Sequence, residues 1–346
     1  MHSFDIALLP GDQPGPAILD GVVAALVLLE KRMKNSAGAF SLCFAHHDIG
    51  LAALKKCGDT LPQSSLEAIR KSDAALVGMI DRRAEQEKNA IGAMRRKLML
   101  YADVRPVKPL GDIWALKKDI DIVCIRESTE GFLADRNMWC GSGEMMPAED
   151  VVISMRVVTR QACRRIAEFA FAYARSHGRR KITVAHKASV LRMGCGFFLD
   201  VVRETAKRYP DILLDDDFVD SVAHRLIAEP ETFDILLATN LMGDIVSDEA
   251  SALVSGMTGA ANIGDGAAVF FPVKHLVDAE HSGAGTVNPV PMYLCGVLML
   301  SHLGLHEAAA DFERIVASAA TEAYCSSGSK EKEAERFGEA VRRLLA

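Results

Sequence analysis

Residues 233–253 read FDILLATNLMGDIVSDEASAL, and the spacing of the apolar positions changes inside that stretch. DILLAT is a short apolar run of strand length. Beyond Asn240, the apolar residues Met242, Ile245, Val246, Ala250 and Leu253 recur at helical spacing. A buried strand running directly into a helix is the building unit of an α/β layer. Asp244 and Asp248 stand four apart and so stack on one face of that helix. Like charges at this spacing cost a helix about 0.2–0.5 kcal/mol, and no lysine or arginine lies within one turn of either in the sequence. Two neutralisers are open. One is the helix dipole, worth about 0.3–1 kcal/mol to an acid in the first turn. The other is a hard divalent cation, Mg2+ or Mn2+, at the carboxyl end of a sheet strand, where open α/β sheets place ligands.

Upstream, residues 213–220 read LLDDDFVD, a strand ahead of another helix. Asp215, Asp216 and Asp217 fit a solvated acidic face, and Asp220 is either a helix N-cap or a third metal carboxylate. KITVAHK, at 181–187, is an apolar strand closed by Lys187. That lysine either snorkels to solvent or, in dry or cationic surroundings, has its pKa lowered far enough to act as a base. A helix is expected to begin near Thr159 and end at Gly178, with Ile166, Phe169, Ala170 and Tyr173 along its apolar stripe.

Positive charge gathers before these segments. Arg95 and Arg96 lie on a helix, Arg105 precedes Pro106 and is therefore extended, and Arg126 closes the buried strand DIDIVCI. A guanidinium at the end of a hydrophobic strand is partly buried and calls for a carboxylate or phosphate partner. Arg95, Arg105 and Arg126 together suit a substrate carrying two carboxylates. At the start of the chain, DIALLP followed by GDQPGPAILDGVVAALVLLEKRMK reads as strand, turn and helix, a turn that either cradles a phosphate or simply joins the two elements. Residues 262–292 form a long loop dense in Gly and Pro, of a kind uncommon unless it binds something.

The 346 residues suggest two domains, and a composition 49% hydrophobic is ample for their cores. A formal net charge of -6 without a long basic run argues against a nucleic-acid or membrane surface. The eight cysteines include no CxxC pair and read as free thiols of a reducing compartment. With no cationic leader and no 18-residue apolar run, the expectation is a cytoplasmic protein.

In order and spacing, LLPGDQPGP, LYADVRPVK, IRESTEG, VAHKASVL, the Val-Asp pair at 219–220, FDILLATNLMGDIVSDEASAL, NIGD and VNP at 287–289 resemble the isocitrate and 3-isopropylmalate dehydrogenase family of metal-dependent decarboxylating hydroxyacid dehydrogenases. The resemblance covers nearly the whole chain. It implies an isopropylmalate-dehydrogenase-like α/β fold of two domains with a shared open sheet. A discontinuous cofactor domain, 1–103 plus 256–346, would flank an inserted domain, 104–255, for substrate, metal and dimerisation. It further implies that Lys187 is the general base, and that Arg95, Arg105 and Arg126, with Asn89 nearby, bind a small hydroxy-diacid. Asp220, Asp244 and Asp248 would hold Mg2+ or Mn2+. Gly11, Asp12, Asp278 and Asn288 would contact the dinucleotide, NAD being favoured over NADP by Asp278 as a ribose-binding acid. In such enzymes Lys187 and Asp220 enter the site from the second subunit of a homodimer.

The chain departs from the family pattern in four places. The tyrosine that is usual at the second position after the RExTEG block, where it serves as proton donor, is absent, the chain reading Phe132 and Leu133 instead. Gln13, Pro14 and Ala17 stand where GIGPE is usual. The adenosine loop reads PVKHLVDAEHSGAGTVNP. Before Arg95, Lys88, Asn89 and Ile91 match neither an isocitrate nor an isopropylmalate pattern. A catalytically impaired relative is therefore the alternative expectation.

Overall fold

Thirteen strands form among residues 2–35, 38–132, 143–278, 287–325 and 332–346, which the computed structural model describes. They are β1 (His2–Gly11), β2 (Phe40–His46), β3 (Ala74–Asp81), β4 (Ala102–Val107), β5 (Ile122–Glu127), β6 (Glu144–Ala148), β7 (Val151–Ser154), β8 (Lys181–His186), β9 (Leu213–Phe218), β10 (Ile235–Ala238), β11 (Gly259–Ile263), β12 (Ala268–Pro272) and β13 (Leu276–Val277). The chain divides into two units. The first comprises Met1–Leu98, Leu110–Trp114 and Met257–Ala346, and the second Met99–Pro109 and Ala115–Gly256.

In the first unit the strands run in the order β2-β1-β3-β12-β11, all neighbours parallel except β11 and β12, and β13 extends the pairing along β3. Every residue of β3 is buried, as expected of a central strand covered on both faces. The helix Gly15–Met33 contributes Ile18, Leu19, Val22, Leu26 and Leu29 to this core. The long loop expected at 262–292 is in part a sheet: β12 and β13 lie within it. AVFF is buried on both faces and so lacks the alternation that marks a half-exposed strand.

Gly11 has φ +73°, and a β-carbon there would stand 1.9 Å from the Met79 carbonyl oxygen, so this turn needs glycine. His302 ends the helix Val290–His302, exposed on one side and packed with its ring centre 5.7 Å from that of Phe270, and partial desolvation there lowers its pKa from the ordinary 6.5. The folded state therefore resists the imidazolium, and the associated stability is complete above pH 6.5 and is lost as pH falls from there toward the folded pKa. Urea denaturation between pH 7 and 5 is expected to show a flatter decline for His302→Gln than for the parent chain; identical slopes would contradict it.

The second unit has the order β4-β5-β10-β8-β9, antiparallel at β4/β5 and parallel elsewhere, plus an antiparallel ribbon of β6 and β7. All residues of that ribbon are exposed. DILLAT is β10 and leads into the helix Asn240–Ala252. From that helix Val246 and Ala250 pack into a core with Ile122, Cys124, Leu236, Val222 and Leu226. Thr159 caps the helix Arg160–Ser176 by accepting from the Ala162 N–H at 3.2 Å. The helix ends two residues before Gly178, whose φ of +66° turns the chain away.

The acidic run of β9 is not the freely solvated face expected of it. Asp215 pairs with Lys181 at 3.0 Å, Asp216 with Arg203 at 2.8 Å and His186 at 3.2 Å, and Asp217 with Arg225 at 3.1 Å. Burial works against the Asp216 charge, but Arg203 and His186 outweigh it and lower its pKa. Cys43, Cys57, Cys124, Cys163, Cys195, Cys295 and Cys325 are free thiols; Cys140 lies outside the described residues. Among the described residues no helix is long and apolar enough to cross a membrane.

Candidate active site

Alternation along β4 puts Asp103 and Arg105 on one face, and the β4/β5 register sets Asp103 directly opposite Arg126. All three are buried, Asp103 completely. Arg105 grips Asp103 with two nitrogens, Nε at 3.2 Å and Nη2 at 3.0 Å, and Arg126 Nη1 lies 3.6 Å from the same carboxylate. Both guanidinium groups continue to the helix Asn240–Ala252. Arg105 donates to Ser247 Oγ at 2.8 Å, Asp248 Oδ1 at 2.8 Å and Asp244 Oδ1 at 3.1 Å. Arg126 donates to Asp244 Oδ1 and, through Nε and Nη2, to Asn240 Oδ1 at 2.9 and 2.6 Å. The Asn240 amide donates in turn to the Glu130 carbonyl at 2.7 Å. Burial opposes the Arg105 charge, yet Asp103, Asp244 and Asp248 outweigh it and raise its pKa above the usual guanidinium range.

Three carboxylates thus face two guanidinium groups, leaving the cluster one negative charge in excess. Neutralisation of Asp244 and Asp248 comes from strands distant in sequence, which the absence of a neighbouring cation could not reveal. Both aspartates remain half-exposed, at 48% and 59% of their side-chain area, and only their Oδ1 atoms have partners among the described residues. Two Oδ2 atoms presented to solvent from adjacent turns are the hard donors that Mg2+ or Mn2+ takes, with water and substrate oxygens completing the shell. The donor chemistry fits such a cation.

Asp220 is not with them. It lies in the first turn of the helix Val219–Ala228, where Phe218 occupies the N-cap, so the N-cap alternative is ruled out. Its carboxylate accepts from Lys187 Nζ, a contact that lowers its pKa, and that amine stands 5.4 Å from the centre of the Phe218 ring. Among the described residues no three acidic, histidine or cysteine side chains of one chain converge as a metal site. Arg95 belongs to the first unit, where it donates to Asn262 Oδ1 at 2.8 Å and lies over the Phe271 ring.

The candidate cofactor residues are also in the first unit. The Asp12 carboxylate accepts from the N–H groups of Leu51 (2.9 Å), Ala52 (3.1 Å) and Asp81 (2.8 Å), so it fastens the turn after Gly11 to the sheet and to a helix start. Asn288 Oδ1 accepts from Val290 N at 3.0 Å and Tyr324 Oη at 2.9 Å, which leaves its amide nitrogen for other use. Asp278 is exposed just after β13. Asn89 caps the helix Ala90–Lys97 by accepting from Gly92 N. Phe132 lies beneath Arg156, 5.8 Å from guanidinium to ring centre, while Leu133 and residues 279–286 of the adenosine loop lie outside the described residues.

The description "Isocitrate/isopropylmalate dehydrogenase" belongs to a family model that matches residues 5–341. This chain belongs to that family. It is 39% identical over 313 residues to a 3-isopropylmalate dehydrogenase of Archaeoglobus fulgidus, covering 90% of each chain. To a homoisocitrate dehydrogenase of Methanocaldococcus jannaschii it is 37% identical, covering 83% of this chain and 84% of that one. The crystal structure of isocitrate dehydrogenase from Methylococcus capsulatus superposes with a TM-score of 0.83 at 33% identity, covering 99% and 100% of the two chains.

Within this family member, sequence reasoning missed Asp103, Asn240 and Ser247, which hold the arginines in place. Asp103 had a signal: it is two residues before Arg105 on a strand and so must share its face. Gly243 is a further positioning element. A β-carbon there would stand 2.8 Å from Arg126 Cβ and 2.9 Å from Cγ. Gly243→Ala gains helix propensity of about 1 kcal/mol yet must push Arg126 aside. If Arg126 holds a substrate carboxylate, displacing it loses a charge-assisted hydrogen bond, roughly tenfold in diacid affinity. Calorimetry with Mn2+ and a hydroxy-diacid should show weakened diacid binding in Gly243→Ala; unchanged affinity would exclude the contact as a determinant.

Proposed function

We propose that the protein catalyses the oxidative decarboxylation of a 3-substituted malate, using NAD or NADP and Mg2+ or Mn2+, as a homodimer with shared active sites. The observation that carries this reading is the cluster of Arg105, Arg126, Asp244 and Asp248, two buried cations beside two open carboxylates. Arg105 and Arg126 would bind and orient the substrate carboxylates, and Lys187 would accept the 2-hydroxyl proton, the nicotinamide supplying the hydride acceptor when bound. Asp244 and Asp248 would hold the divalent cation, which would supply Lewis acidity toward the substrate oxygens. Lys187 and Asp220 form an exposed pair of their own, which suits delivery to the site of a second copy. Apolar side chains left open on the helices Val219–Ala228 and Asn240–Ala252, Ile227 at 51% and Ile245 at 58%, support a covering copy.

Protonation of the enolate falls to water, because Phe132 and Leu133 carry no acid. General acid assistance is worth roughly 100- to 10,000-fold, so turnover is slow in that step while hydride transfer persists. The test is NADH or NADPH formation with Mn2+ across malate, tartrate, isocitrate and 3-alkylmalates. Silence across the panel by folded, metal-binding protein would reject an active dehydrogenase.

The missing tyrosine after the RESTEG block and the altered adenosine loop favour a second reading, a catalytically impaired paralogue that keeps the carboxylate pocket for ligand sensing. Tight dinucleotide binding by the purified chain would refute it, and analysis for CO2 and keto acid separates it from an enzyme performing only one of the two steps.

A further inference from the structure

A groove of about 410 Å³ lies in the first unit, among the starts of the helices Gly15–Met33 and Val290–His302 and the last helix, Glu333–Leu345. Its wall is mainly apolar, with Ile18, Pro289 and Phe337. Set into that wall is Tyr293, only 4% exposed, its ring edge-on to Phe337 at 4.9 Å. The Tyr293 hydroxyl comes within 2.7 Å of where a β-carbon would stand at Gly21, so glycine at that position makes room for it.

The hydroxyl has no hydrogen-bond partner among the described residues, and neither has the Arg342 guanidinium at the rim. Burial pushes the Tyr293 phenol up to about 12, and Arg342 acts in the opposite direction, which places the two donors within electrostatic reach of each other. That hydroxyl is not one of the side-chain oxygens sealed from solvent, so it opens on the groove, where an anion accepts from it and meets the cation together. Glu335, also on the rim, balances the charge of Arg342 and disfavours a dianion. Apolar walls on either side favour an occupant with a body to bury.

We propose that this groove is a binding site for a small organic monocarboxylate with a compact apolar body. Its carboxylate accepts from Tyr293 Oη and pairs with Arg342, and its body packs on Ile18 and Phe337. The site lies wholly in the first unit and shares no residue with the Arg105–Arg126 cluster. Binding there requires no turnover, so the inference stands or falls separately from the proposed reaction.

Benzoate is the probe, titrated against the full chain and followed by ligand-detected NMR and thermal shift. Saturable binding is expected. Arg342→Ala, on an exposed helix face, should weaken it roughly tenfold or more, as loss of a charge-assisted hydrogen bond does. Tyr293→Phe keeps the ring packing and should weaken it roughly threefold to tenfold, and Glu335→Gln should tighten it. The proposal is overturned if the parent chain shows no saturable binding, or if Arg342→Ala and Tyr293→Phe both bind as the parent does. It is also overturned if inorganic phosphate or benzyl alcohol binds as tightly as benzoate.

Discussion

Arg105→Met is expected to destabilise the second unit by about 3–5 kcal/mol, the usual consequence of removing one partner from a buried ion pair. Asp103 is completely buried, and its two oxygens rest on Arg105 at 3.2 and 3.0 Å. Without that cation the carboxylate loses both of these contacts and still has Arg126 Nη1 at 3.6 Å, while Asp244 and Asp248 each lose a contact. The double variant Asp103→Asn with Arg105→Met should recover most of the loss, since the cost lies in the stranded charge more than in the missing attraction. Urea denaturation of the parent, the two single variants and the double variant measures this cycle. A loss below about 1 kcal/mol for Arg105→Met would mean that the pair is solvated as surface pairs are.

The second large effect concerns rate. On the proposed reading, Lys187→Met should slow hydride transfer by roughly 100- to 10,000-fold, the range of a general base, while leaving Mn2+ and diacid affinity nearly unchanged. Single-turnover NADH or NADPH formation paired with calorimetry separates the two quantities. Equal losses in the single-turnover rate and in diacid affinity would assign Lys187 to binding instead. If the amine acts across a dimer, inactive Lys187→Met and inactive Arg126→Leu chains, mixed and reassociated, should regain part of the activity, because one hybrid site then holds both native residues. Absence of recovery after verified exchange would place the whole site in one chain.

Much of this was legible without coordinates, and the physical reason differs from residue to residue. The helix after β10 was visible because its buried positions repeat at helical spacing and it packs one face on the sheet. Arg105 and Arg126 were conspicuous because a guanidinium in an apolar strand demands a partner. What neutralises Asp244 and Asp248 was not legible. The answer depends on β4 and β5 lying under the helix, a long-range packing fact that leaves no local trace. β12 was hidden for the opposite reason: burial on both faces removes the alternation that identifies strands. For Asn89 and Asp12, residue type was ambiguous between ligand contact and backbone support, and the structure shows both occupied with backbone N–H groups. Their remaining polar atoms decide whether they also meet a ligand.

The shared Oδ1 of Asp244, gripped from two sides by Arg105 and Arg126, has a thermodynamic implication. A dianion alone must prise the arginines from their own aspartates, and a cation on the open Oδ2 atoms draws charge from those carboxylates and weakens their hold on the arginines. Arriving together, each frees the groups the other requires. On the proposed reading, Mn2+ and diacid should therefore sharpen each other's affinity by one common factor, as reciprocity between linked equilibria demands.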